Sequence, residues 1–253
     1  MPLILTTLAA LAQATLPATL PPEQLARLRT LCTTLAAQTQ RRADELQTLA
    51  TCYFRGDGLP QDLARARSLY EQAAAGGYTK AHCAVGNMMI AGQGGPRDIP
   101  GGLARCRRAA EAGDADAQTD IGGYLLTGQF MPKDAAAARR WLTMAATQGQ
   151  ANAAFLLGQI YWNGDGIPKD TAEAARWWHV AYDGGRRDAA FLLAREAMAR
   201  VLRSTARPQD VDHAALTEAL RWFDLAAETD PSEANRQRAR EGAGILRQLQ
   251  SAL

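Results

Sequence analysis

The stretch "IYWNGDGIPKD", residues 160–170, decides the fold. Two glycines around an aspartate, then a proline, a lysine and a second aspartate, suit a phosphate cradle, a cation loop or a tight turn. The frame returns as "CYFRGDGLPQD" at 52–62, "MMIAGQGGPRD" at 88–98 and "YLLTGQFMPKD" at 124–134, each copy 36 residues from the next. Three columns recur: Gly56, Gly92, Gly128 and Gly164; Pro60, Pro96, Pro132 and Pro168; Asp62, Asp98, Asp134 and Asp170. The central carboxylate does not, because Asp57 and Asp165 give way to Gln93 and Gln129. A cation site needs its charged ligand. A turn needs only glycine for positive φ at a helix end and proline to stop the helix. The last aspartate then serves as N-cap of the following helix. The loop is read as a structural turn.

The period extends beyond the turn. Ala81, Ala117, Ala153 and Ala189 are in step, as are Ala73, Ala109, Ala145 and Ala181. Gly86, Gly122 and Gly158 share a column with Ala50 and Ala194, and Gly77, Gly113, Gly149 and Gly185 close each unit. Each unit holds a helix A before the turn and a helix B after it. Small residues at fixed helix positions bring the helices close, and Leu, Tyr and Trp fill the remaining space. Trp177 and Trp178 are read as core on that ground. A repeat of this length with helical spacing predicts an all-α solenoid, a right-handed α/α superhelix of five helix–turn–helix repeats with capping helices. The expected organisation is an apolar segment and capping helix over 1–42, repeats over 43–230 and a C-terminal capping helix over 231–253.

"ANAAFLLGQIYWNGDGIPKDTAEAARWWHVAYDGG", residues 151–185, carries the frame A…LG..Y..G.G.P.D…A..W…A…G and resembles the Sel-1-like repeat family, relatives of the tetratricopeptide repeats. The resemblance covers about residues 43–228. Two departures stand out. Arg105 and Cys106 occupy the places of the tryptophan and its aromatic neighbour, and the fifth repeat replaces the glycine turn with "RVLRSTARPQDVDHAAL", residues 200–216. Trp222 restores the tryptophan column. Both flanks read as caps. Leu25, Leu28, Cys32 and Leu35 form one stripe near the N-terminus; Ile245, Leu246 and Leu249 form another near the C-terminus.

Composition excludes little by itself. The chain has 253 residues, 47% apolar, with a formal net charge of +2, which gives no electrostatic case for nucleic acid or a membrane surface. Residues 1–14, "MPLILTTLAALAQA", admit two readings. "AQA" resembles a cleavage site, yet a positive n-region is missing; the same stretch also places Ile4, Leu8, Leu11 and Thr15 on one helical stripe. Bacterial cytoplasm and periplasm therefore both stand, and membrane contact is expected only through this segment. Cys32, Cys52, Cys83 and Cys106 match no zinc or C-x-x-C spacing. They are either small buried residues of a reduced chain or one or two disulfides of an exported one, with Cys83 and Cys106 on the two helices of one repeat.

Chemistry is sparse. His82, His179 and His213 show no metal spacing, and no G-x-S-x-G or S-x-x-K occurs. Arg105, Arg107, Arg108, Arg139, Arg140 and Arg176 on the B helices read as a solvated face. No catalytic residue, metal or cofactor is expected. The resemblance implies protein or peptide binding by a monomeric, non-enzymatic scaffold or adaptor. Its alternatives are an inhibitor or immunity protein for a secreted bacterial toxin, and a hydrolase of the kind found among β-lactam-binding members. A solenoid binds along its concave A-helix face. On helix A of repeat four, Asn152, Leu156, Gln159 and Asn163 share a side. The equivalent stripe passes through Asn87, Asp120 and Arg195, with Trp162 and Phe54 at its flanks. Asn87, Asp120, Asn152, Gln159, Trp162 and Arg195 are the expected partner contacts.

Overall fold

The computed structural model describes residues 22–56, 58–204 and 211–252. Residues 1–21, Asp57 and residues 205–210 of the 200–216 stretch lie outside them, so the readings of the N-terminal segment and of the fifth turn do not meet the structure. Among the described residues there are helices and no strands. The helices are α1 (Pro22–Ala37), α2 (Ala43–Arg55), α3 (Leu63–Ala75), α4 (Lys80–Ala91), α5 (Ile99–Glu111), α6 (Ala115–Thr127), α7 (Ala135–Thr147), α8 (Ala151–Asn163), α9 (Thr171–Asp183), α10 (Ala189–Ser204), α11 (His213–Thr229) and α12 (Glu233–Ala252). Even-numbered helices from α2 to α10 are the A helices, and each following odd-numbered helix is its B partner. The fold is an all-α repeat. Its packing divides into two units, one ending at Ile121 and one beginning at Gly122, within α6.

The turns are built alike. Gly56, Gly92, Gly128 and Gly164 have φ of 81, 70, 73 and 77°, the left-handed conformation that ends an α-helix at low cost only for glycine. Asp62, Asp98, Asp134 and Asp170 then accept hydrogen bonds from the backbone N–H of Arg65, Gly101, Ala137 and Glu173, each at 2.9 Å. The same aspartates donate their own N–H to the carbonyls of Tyr53, Met89, Leu125 and Tyr161, which ties the loop back to helix A. Asp212 repeats the cap at α11, accepting from Ala215 N at 2.8 Å. One position breaks the rule. Phe130 stands where the other copies have a second glycine (Gly58, Gly94, Gly166) and keeps the left-handed φ, at 66°. Its ring lies edge-on to Tyr124 at 5.3 Å, a contact that offsets part of a backbone cost of about 1–2 kcal/mol.

In the first unit, α2, α3 and α4 enclose Leu49, Tyr53, Leu69, Tyr70, Val85 and Met88, with Leu35 of α1 against them. Cys32 and Leu35 of the N-terminal stripe are buried, and Leu25 and Leu28 half-buried. Disulfides join Cys32 to Cys52 and Cys83 to Cys106. Of the two readings for the cysteines, the bridged one describes this structure. Cys83 and Cys106 face each other because Gly86 and Gly102 let α4 and α5 touch backbone to backbone: a Cβ on either glycine would stand 2.5 Å from the other's carbonyl oxygen.

In the second unit the alanine columns vanish from the surface: Ala153 and Ala189, and Ala145 and Ala181, are fully buried. A Cβ on Gly122 would meet Leu142 at 2.6 Å, and one on Gly158 would meet the Trp178 indole nitrogen at 2.2 Å. Trp178 is core as expected, whereas Trp177 is only half-buried. The C-terminal stripe needs a correction. Ile245 is 56% exposed, whereas Leu246 is buried as expected, with Ala239, Gly242 and Ala243 beside it, and Leu249 is half-buried. Gly242 turns this face inward, because its missing side chain leaves room for the Phe223 ring, 2.7 Å from where a Cβ would be.

Three variants test this account of the turns. Asp134→Ala removes the cap from α7 and should lower stability by about 1 kcal/mol in urea titration. Gly164→Val should cost about 1–3 kcal/mol, from a β-branched side chain at positive φ that meets Ile167 O at 3.1 Å. Asp165→Asn loses only an exposed pair to Lys133 at 4.0 Å and a contact from Asn163 at 3.3 Å, so it should cost under about 0.5 kcal/mol. A loss on Asp165→Asn that calcium reverses would contradict the turn assignment.

Candidate functional site

The six expected contact residues fall into two groups, one in each unit. In the first unit, Asn87 of α4 and Asp120 of α6 meet: Asn87 Nδ2 donates to Asp120 Oδ2 at 2.7 Å. The carboxylate also lies 3.5 Å from Cys83 Sγ. Burial pushes the Asp120 carboxyl up to about 6; the Asn87 hydrogen bond opposes this, and Asp116 and Asp114 reinforce it. The neighbouring His82 is half-buried, and its Nδ1 is buried without a hydrogen-bond partner. Burial and the nearby Arg108 and Arg105 lower its pKa.

In the second unit, the A-helix face of α8 and α10 is assembled from the core outwards. Gly158 admits the Trp178 ring against α8, and Trp178 supports Trp162, with ring centroids 5.5 Å apart. The half-buried Trp162 is flanked by two cations: Lys169 Nζ lies 4.6 Å from its ring centroid and the Arg195 guanidinium 5.9 Å. A cation held over an indole face keeps its charge and remains able to bind an anion on its outer side. Gln159 is half-buried beside them on α8. Asn152 is held by the fold. Its Oδ1 accepts from Arg186 Nη1 at 2.7 Å, while Arg186 forks onto Asp188 and lies over the Phe155 ring at 4.2 Å. Phe54, the other expected anchor, packs against the first unit's core.

Sequence reasoning placed Trp162 and Arg195 on one face but missed Lys169. It belongs to the turn, in the column of Gln61, Arg97 and Lys133. Gln61 and Arg97 fold back to hydrogen-bond the carbonyls of Phe54 and Ile90, seven residues earlier. Lys169 folds back the same way and meets the Trp162 ring instead. The recurring frame held that signal.

Helix pairs joined by glycine turns and capped by aspartate, stacked in register with small-residue columns between them, define an α/α repeat protein. The chain belongs to the Sel1 repeat family, whose model matches residues 49–78, 79–114, 115–150, 151–185 and 208–229. No curated protein matches the sequence. Among solved structures, a Sel1 repeat protein from Oxalobacter formigenes aligns over 88% of this chain and 97% of its own, with TM-score 0.68 and 23% identity. The protective antigen c5321 of uropathogenic Escherichia coli aligns over 90% of this chain and 49% of its own, with TM-score 0.58 and 21% identity. Immunity protein Pa5087 from Pseudomonas aeruginosa aligns over 87% of each chain, with TM-score 0.50 and 21% identity. At these identities the likeness is one of fold.

The raised Asp120 pKa makes a prediction about stability. The folded state holds this proton more tightly than the unfolded chain, so the group contributes most at low pH. That contribution is lost as pH rises from about 4 through about 6. With the bridges intact and a chelator present, the melting temperature of Asp120→Asn should therefore gain on wild type between about pH 4 and pH 7. A difference that stays constant with pH would contradict the burial of this carboxyl.

Proposed function

We propose that the chain is a non-enzymatic protein-binding module, whose A-helix face in the second unit receives an acidic loop or segment of a partner protein. Trp162 between Lys169 and Arg195 carries this reading. It offers an aromatic surface backed by Trp178, with two cations at its rim and the polar Gln159 alongside. An aromatic and an arginine on rigid helices make an anchor at low entropic cost. Cations at the rim favour a carboxylate-rich partner and speed its encounter. In the second unit Asn152 completes the proposed contact set from a position already hydrogen-bonded to Arg186; Asn87 and Asp120 are proposed as contacts of the first unit by itself.

A narrower reading is that the partner is a single toxin, with this chain as its immunity protein. Immunity protein Pa5087 has this fold over 87% of each chain. The two readings separate by stoichiometry: affinity capture from the native cell yields one toxin in equal amount under the narrower reading, and several partners under the scaffold reading. Turnover of a chromogenic β-lactam by purified protein would contradict both.

With a partner in hand, Arg195→Glu and Lys169→Glu should each weaken binding about 10-fold or more at low salt, with less effect at high salt and little change in melting temperature. Arg176→Glu, on the exposed face of α9, should leave affinity unchanged. The opposite ranking would place the partner on the B-helix face.

A further inference from the structure

Two positions depart from the column pattern of the repeats, and they meet a third cluster member, Cys83, at one point in space. Cys106 stands in the column filled by Tyr70, Leu142 and Trp178. Asp120 stands as the one charge in the column of Thr48, Ala84, Leu156 and Leu192, while Cys83 belongs to a mixed column of Gln47, Thr119, Phe155 and Phe191. The cysteines are buried and Asp120 half-buried, and their two sulfurs and a carboxylate oxygen all lie within 4.8 Å of one another. Packing alone does not ask for a carboxylate there, since burying one without a cation costs solvation free energy. Its hydrogen-bond partner is Asn87, a neutral amide whose Oδ1 is also 3.4 Å from Cys106 Sγ. The other bridge, Cys32–Cys52, belongs to no such cluster among the described residues.

We propose that Cys83, Cys106 and Asp120 form a redox-gated site for a thiophilic divalent cation of the zinc class. In the bridged state the sulfurs are bonded to each other and the site is closed. A dithiol reductant opens it: the bridge takes up two electrons and two protons and becomes two thiols, while the reductant becomes its own disulfide. Binding the cation then releases the two thiol protons to solvent and forms two metal–sulfur bonds and one metal–oxygen bond to Asp120. Thiolate and carboxylate are the donor types such an ion selects, and water or the Asn87 carbonyl oxygen supplies the fourth. Tetrahedral ligands at about 2.3 Å from the ion stand about 3.8 Å apart. Cys83 Sγ and Asp120 Oδ2, at 3.5 Å, already have that spacing, so chiefly the two sulfurs must part. The hydrogen bond from Asn87 orients the carboxylate, as outer-shell partners of metal ligands do.

The test uses the full chain, reduced with a phosphine under argon and titrated with Co²⁺ alone, then with Zn²⁺ in competition. The expected result is one ion per chain with a thiolate-to-cobalt absorption band. Asp120→Asn and Asn87→Ala should each weaken binding about 10-fold or more. Cys32→Ser/Cys52→Ser should keep the band and Cys83→Ser/Cys106→Ser should lose it, and the untreated bridged protein should show none. If reduction melts the chain, Zn²⁺ should restore its helical circular dichroism. A reduced, helical wild type that takes up no ion, a melted one that Zn²⁺ does not refold, or a band that survives Cys83→Ser/Cys106→Ser overturns the proposal and leaves the bridge a plain staple.

Discussion

The closest contact in each helix pair sets everything else. In the three middle pairs a glycine on helix A faces one side chain on helix B, Gly86 facing Cys106, Gly122 facing Leu142 and Gly158 facing Trp178, and alanine takes its place in the first and fifth as Ala50 and Ala194. The B-side residue varies widely in size, so the glycine does not match one partner. It removes the side chain that would otherwise hold the helix axes apart. The fully buried alanine columns follow from the same spacing. With the inner faces fixed by small residues, the A-helix faces are free to vary in chemistry without disturbing the stack.

Most of this was legible in the sequence because local rules write it. Left-handed φ demands glycine, an uncapped helix start demands an acceptor, and a 36-residue period shows which copies of a residue matter. The predicted aspartate caps and glycine turns stand where the columns put them. What escaped depends on tertiary register. Phe130 takes a glycine's conformation, and only the nearby Tyr124 ring shows what offsets the cost. Ile245 looked like part of a buried stripe, but the Phe223 ring against Gly242 sets a face of α12 that keeps Leu246 inside and leaves Ile245 out. The Cys83–Cys106 bridge stood among the sequence readings only as one alternative, because their meeting depends on the backbone contact between Gly86 and Gly102.

The candidate sites were half-legible for a related reason. Periodicity gives the face a residue occupies, so Trp162 and Arg195 were read together, as were Asn87 and Asp120. It does not give what a side chain does once there. Asn152 is committed to Arg186, whereas Trp162 is held between cations.

The claim that glycine serves helix approach is tested most directly by a double-mutant cycle at Gly122 and Leu142, where a Cβ would stand 2.6 Å from Leu142 Cγ. Gly122→Ala alone should cost about 2 kcal/mol or more by urea unfolding, although alanine is the better helix former. In the Leu142→Ala background, where the added methyl enters vacated space, the same change should be nearly neutral, a coupling of at least about 1 kcal/mol. Strictly additive losses, or a Gly122→Ala variant more stable than wild type, would contradict the account.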